Sequence, residues 1–126
     1  APYWLAHCDL WSFRGGIPHI DYLKHCASAK FGLCLPGLGP KCLRDVEYMG
    51  LGVVPIVMNE DAVRFYANPP VKDEHYFYVK DSEEMLEAMN SSPEKIKQMS
   101  EACIEWFEEN CSIEGSFKTT MEIISE

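Results

Sequence analysis

No stretch of this 126-residue chain is apolar over the roughly 18 residues that a membrane-crossing helix needs, so no span is expected. Cations are scarce: 11 lysines and arginines against 20 aspartates and glutamates leave a formal net charge of −9. Such a surface repels phosphate backbones at long range, which argues against nucleic acid as a partner. C-x-x-C pairs are absent, and His7, His19, His25 and His75 are scattered. The close ligand pairs of zinc sites are therefore not supplied, and no metal is expected. The cysteines, at Cys8, Cys26, Cys34, Cys42, Cys103 and Cys111, read instead as free, mostly buried thiols of the cytoplasm or another reducing compartment. The P-loop run G-x-x-x-x-G-K-[ST] does not occur. Gly37-Leu38-Gly39-Pro40-Lys41-Cys42 matches the dinucleotide fingerprint only in its first two glycines, with Cys42 where the third is required. Kinase-like and dehydrogenase chemistry thus lack support. No signal-like leader opens the chain, which begins with Ala1 rather than a methionine, so it is expected to be a piece of something longer.

What the sequence does have is alternation. Its length suits one domain, residues 1–126. "DLWSFRGG" reads as a strand feeding a loop at Arg14-Gly15-Gly16. "PHIDYLKHCAS" sets Ile20, Leu23 and Ala27 on one helical face after Pro18. "FGLCLPG" is apolar on both faces, as a buried parallel strand is. "PKCLRDVEYMGLG" opens with Pro40, suited to a first helical position, and closes with Gly50 and Gly52, suited to a stop. "VVPIVM" predicts the next strand, with Pro55 near its start where a ladder bond can be spared. Residues 59–74 read as irregular, and "HYFYV" as a short strand. Three helices follow: "EEMLEAMN" capped by Ser82, the long "PEKIKQMSEACIEWFEEN" capped by Ser92, and a last one capped by Ser112. Ile96, Met99, Cys103 and Trp106 form the inward stripe of the long helix; Ile113, Phe117, Met121 and Ile124 share one side of the last. Strands separated by helices imply an α/β, Rossmann-like parallel sheet with helices on both faces, followed by C-terminal helices without intervening strands.

One segment carries chemistry. Between Lys30 and Arg44 lie three cations and no acid, a basic island in an acidic chain. Ligands of open parallel sheets bind beyond the carboxyl ends of the strands, where "PGLGPK" runs into a helix. Gly37 and Gly39 allow close backbone approach, and free N–H groups at the helix start favour an anion. Lys41, Arg44 and Glu47 recur every three residues, along neighbouring turns of one stripe. Phosphates beside Lys41 and Arg44, with a sugar diol on the Glu47 carboxylate, satisfy that order. A solvated face holding a modest salt bridge is the plainer alternative. Cations in a first helical turn oppose the macrodipole unless an anion sits between them, which favours the binding site.

"AKFGLCLPGLGPKCLRDVEYMGLGVVPIVMNE" resembles the donor-binding segment of GT-B glycosyltransferases, most closely exostosin-like and related families, which carry a "KFCLCP-G…R…EA…GC-PVI" type of run. Lys30-Phe31, Leu33-Cys34-Leu35-Pro36, Gly37, Arg44, Glu47, Gly52 and Pro55-Ile56-Val57 carry the likeness, and "FRGG" resembles the "F-x-G" strand end that precedes the run. It covers residues 10–60. The resemblance implies a nucleotide-sugar-binding domain, the C-terminal half of a two-domain glycosyltransferase. Glu47 would hold the ribose; Arg44 and the Gly37–Lys41 backbone would hold the diphosphate; Asn59 and Glu60 would border the cleft. Gly39 stands where many retaining GT-B enzymes have a second glutamate, which favours the exostosin-like comparison. A missing N-terminal domain would supply the acceptor site and general base, so this domain alone would bind nucleotide and transfer nothing. The cationic helix start makes a metal unnecessary.

Other residues draw weaker readings. Arg14 ends a strand and is a candidate for phosphate or sugar contact. His7, Asp9 and His75 have no catalytic spacing, while Trp4, Trp11 and Tyr66 suit packing at least as well as stacking on a ligand. Two other functions stay open: a non-catalytic nucleotide-binding or protein-docking module of the same fold, and a flavodoxin-like interaction domain without nucleotide.

Overall fold

A computed structural model describes residues 18–35 and 43–126. The expected first strand, Arg14 and the Gly37–Lys41 loop lie outside the described residues. Within them, α1 (His19–Ala27) leads to β1 (Phe31–Cys34), then α2 (Leu43–Gly50) and β2 (Val54–Val57). A single turn, α3 (Asp61–Arg64), precedes β3 (Phe77–Tyr78). Three helices close the chain: α4 (Ser82–Met89), α5 (Pro93–Asn110) and α6 (Ile113–Ile124).

The strands form one parallel sheet in the order β1-β2-β3. Phe31 pairs with Val54 and Cys34 with Val57, while Ile56 and Val57 pair with Phe77 and Tyr78. Parallel neighbours need crossovers, and α2 supplies the first. Every residue of the central strand β2 is buried, which explains its unbroken apolar run. Pro55 is its second residue, opposite Gly32.

Side chains alternate across the sheet, so its two faces bury different partners. Val54, Ile56, Phe77 and Val79 meet Met85 and Ala88 of α4 and Ile96 and Met99 of α5. On the other face, Cys34 and Val57 meet Tyr48 of α2 and Ala62 and Val63 of α3. The fold is therefore α/β, with a three-stranded parallel sheet and helices on both faces. Beyond the sheet, Cys103 and Trp106 of α5 pack on Met49 at the end of α2, and Tyr66 meets the Trp106 ring edge-on at 5.2 Å. Tyr66 is thus a packing residue.

Several helix ends follow the sequence closely. Gly52, at φ +74°, stops α2 with its N–H on Met49 O and the Val53 N–H on Tyr48 O, a double bond pattern that only a left-handed residue permits. Ser92 Oγ accepts from Lys95 N at 3.2 Å, and Ser112 Oγ from Gly115 N at 3.0 Å. The cap of α4 differs from expectation. It is Asp81, whose Oδ1 accepts from Glu84 N at 2.9 Å while Glu84 Oε2 reaches back to Lys80 N at 2.7 Å. A charged acceptor at the helix start outcompetes the neighbouring Ser82 hydroxyl.

The segment from 59 to 76 is less irregular than its composition implies. Trp106 Nε1 donates to Asn68 O at 2.9 Å, Asn68 Nδ2 to Asn110 Oδ1 at 2.9 Å, and Cys103 Sγ to His75 O at 2.9 Å. These bonds tie the segment to α5. His75 does not open a strand: its Nδ1 accepts from Val71 N at 2.9 Å inside a turn, and pairing in β3 begins two residues later. Asp73 takes a positive φ of 64° in that turn, which a short polar side chain tolerates.

Candidate functional site

The carboxyl end of β1 and the first turns of α2 meet at Arg44. Its Nη2 donates to the Leu35 carbonyl just past the strand, and its Nε lies 3.6 Å from Asp45 Oδ1. One turn deeper, Glu47 follows on the same stripe. Tyr48 packs its ring on Gly32 of β1, and its hydroxyl makes a long 3.5 Å contact to Leu33 O.

Two polar atoms in this cluster are buried without a hydrogen-bond partner: Arg44 Nε and Glu47 Oε2. A buried donor or acceptor left unmade costs about 1–3 kcal/mol, more when charged. Such groups persist where a ligand completes them or where strain is tolerated for function. A guanidinium edge and a carboxylate oxygen one turn apart offer one donor to an anion and one acceptor to a hydroxyl.

Helix α1 packs against α2. Its inward side is not the expected Ile20–Leu23–Ala27 face: Ile20 is 59% exposed, whereas Tyr22, Leu23 and Cys26 are half-buried. Tyr22 and Cys26 stand one turn apart on α1. Burial pushes the Tyr22 hydroxyl above tyrosine's ordinary range, with Cys26 and Glu47 adding to it. Burial raises the Cys26 thiol as well, Glu47 further, while Tyr22 and Arg44 work against the rise. Tyr48 is pushed up to about 12 by burial, against the pull of Arg44. Sequence reasoning missed Tyr22, Cys26 and Tyr48; the signal was the i, i+4 spacing of a tyrosine and a cysteine on α1.

Of the residues singled out from the sequence, Arg44 and Glu47 are brought together. Asn59 and Glu60 are exposed at the end of β2. Asn59 Oδ1 accepts from Asp61 N at 3.0 Å and so starts α3, while the Glu60 charge, after burial, helps raise the Tyr76 hydroxyl. Arg14, Gly37, Gly39 and Lys41 lie outside the described residues. Elsewhere, the 68–75 segment, α5 and α6 enclose a groove of about 520 Å³ lined by Glu74, Glu105, Glu109 and Glu122. These four carboxylates outweigh Lys118, the one lysine of the lining, and disfavour a diphosphate there.

Among the described residues the cysteines Cys26 and Cys103 are free thiols, and Cys34 and Cys103 are buried. No described helix is long and apolar enough to cross a membrane. Comparison with family models, with curated proteins and with solved structures finds no match for this chain.

Proposed function

We propose that this chain is the nucleotide-sugar-binding domain of a GT-B-type glycosyltransferase, with Arg44 on the donor's diphosphate and Glu47 on its ribose. The observation that carries the reading is the pair of orphaned buried atoms, Arg44 Nε and Glu47 Oε2, on the stripe where the sequence calls for an anion and a diol. The parallel sheet adds to it, since Arg44 stands at the carboxyl end of β1, where such sheets bind ligands. The Gly37, Gly39 and Lys41 backbone would cradle the phosphates beside Arg44, and Arg14, Asn59 and Glu60 would border the same cleft.

Transfer needs an acceptor site that a second domain would bring. The apolar side of α6 supports such a partner: Ile113, Phe117 and Ile124 are 93%, 69% and 69% exposed, where a closed domain would bury them. No metal is called for, because the cationic start of α2 neutralises the diphosphate.

The test is Glu47→Gln, which removes the charge and keeps the shape. Binding of the preferred nucleoside diphosphate should weaken by roughly 1.5–3 kcal/mol, about ten- to a hundredfold, at unchanged thermal stability. Equal affinity of the two proteins would remove Glu47 from the site.

A further inference from the structure

We infer that Asp45 is the positioning residue behind the diphosphate contact: its buried carboxylate holds the Arg44 guanidinium in place before a ligand arrives. The inference rests on the nucleotide reading and deepens it.

Asp45 is 6% exposed, the one charged side chain that is buried among the described residues. Burying a carboxylate is costly unless a cation answers it. Its place in the first turn of α2 suits the helix dipole, but an exposed carboxylate serves a dipole equally well. The dipole therefore leaves the burial unexplained. What the burial brings is Arg44, whose Nε lies 3.6 Å from Asp45 Oδ1. Consecutive residues of a helix point in different directions and do not ordinarily meet. For this pair to meet, the arginine is bent back over the helix start instead of extending into solvent. Its Nη2 donates to the Leu35 carbonyl at the end of β1. The guanidinium is thus held from two sides, by the helix that carries it and by the strand whose end marks the ligand cleft, while part of the side chain stays exposed.

Such a hold acts before binding. An unrestrained arginine loses rotamer freedom when it closes on a phosphate, and that loss subtracts from affinity. An arginine already held loses little. At 3.6 Å the carboxylate is beyond hydrogen-bond reach, so it orients the guanidinium by charge without engaging the Nε proton.

Charge alone points the other way. A carboxylate close to a phosphate repels it, so a neutral residue at position 45 would tighten binding if Asp45 had no positioning role. The sign of the change separates the two.

The experiment is calorimetric titration of the 126-residue chain as wild type, Asp45→Asn, Arg44→Lys and the double variant. The ligands are UDP, GDP, ADP and TDP, and the nucleoside of whichever base binds. Asp45→Asn should weaken the diphosphate about three- to tenfold, the effect of ordering one long side chain, and leave the nucleoside within about twofold. In the Arg44→Lys background the same change should shift diphosphate affinity by less than about twofold, because Asp45 acts through the guanidinium. Equal or tighter diphosphate binding by Asp45→Asn overturns the positioning role. So does an equal loss for nucleoside and diphosphate, which marks a distorted helix, and so does an undiminished loss in the Arg44→Lys background. Silence from wild type toward every diphosphate overturns the nucleotide reading and the inference with it. Should Asp45→Asn fail to fold, heteronuclear relaxation of the Arg44 Nε–H group in the unliganded wild type gives the answer. Rigidity matching the backbone of α2 is the expected result, and the averaged signal of a mobile arginine overturns the inference.

Discussion

Gly32 of β1 lies so close to Tyr48 of α2 that a Cβ placed on it would sit 2.5 Å from two ring carbons of the tyrosine. The aromatic ring occupies the space a side chain would take, which fixes the height of α2 above the sheet and with it the position of Arg44 and Glu47. Gly32→Ala should therefore cost roughly 1–3 kcal/mol, read as a lower urea midpoint at unchanged slope. An unchanged midpoint would mean that the ring moves aside freely and sets nothing.

Gly115 and Phe117 form a contrasting pair on α6. A Cβ on Gly115 would meet the Glu109 carbonyl carbon at 2.6 Å, backbone that cannot step aside, so Gly115→Ala should cost about 3 kcal/mol. Phe117 is the larger residue but 69% exposed, and Phe117→Ser should stay within about 0.5 kcal/mol of wild type. Urea unfolding of both variants checks the order; a large loss at Phe117 would show that its ring is covered in solution.

Arg44 should be intolerant of lysine. Its guanidinium reaches the Leu35 carbonyl through Nη2 while Nε, 3.6 Å from Asp45 Oδ1, makes no hydrogen bond, a division that a single ammonium cannot reproduce. Arg44→Lys should weaken a nucleoside diphosphate by roughly 1 kcal/mol or more while hardly affecting the nucleoside. Equal loss for both would mean the residue positions α2 rather than binding phosphate.

Alkaline pH should destabilise the fold in a defined window. Burial raises the Cys103 thiol from its ordinary value of 9.0 to about 12, and Tyr48 from 10.0 to about 12. Both groups hold their protons longer folded than unfolded. Their contribution is complete below pH 9–10 and is lost as pH rises toward about 12, each steepening the fall by at most about 1.4 kcal/mol per pH unit. Cys103→Ala should flatten the part that begins near pH 9, and Tyr48→Phe the part above 10. Urea midpoints across pH 8–11 measure it, and parallel curves for all three proteins would contradict it.

The sheet was legible because its signals are local. "FGLC" and "VPIV" are apolar on both faces, Gly52 carries the stop of α2 in its freedom to take a positive φ, and Ser92 and Ser112 stand one residue before helices they cap. Arg44 and Glu47 were legible for the same reason, as a spacing within one helix. What escaped depends on neighbours distant in sequence. Nothing near Tyr22 announces that it, rather than Ile20, will be half-buried on α1. Nothing near Asn68 or His75 announces that α5 will bind their carbonyls and turn an irregular stretch into a pinned one. The sequence sets Ile113, Phe117, Met121 and Ile124 on one side of α6, and their exposure reflects the absence of anything among the described residues to cover them. Asp81 displaced Ser82 as a cap through a bond from Glu84 three residues on, a pairing that the capping-box pattern contains but that the serine obscured.

The most direct test of the central claim is calorimetric titration of the wild-type chain, without added metal, with UDP, GDP, ADP and TDP. Saturable heat with a clear preference for one base, lost on Glu47→Gln, is the expected result. No heat from any of the four, from a chain shown to be folded by its urea transition, would contradict a nucleotide site at Arg44 and Glu47.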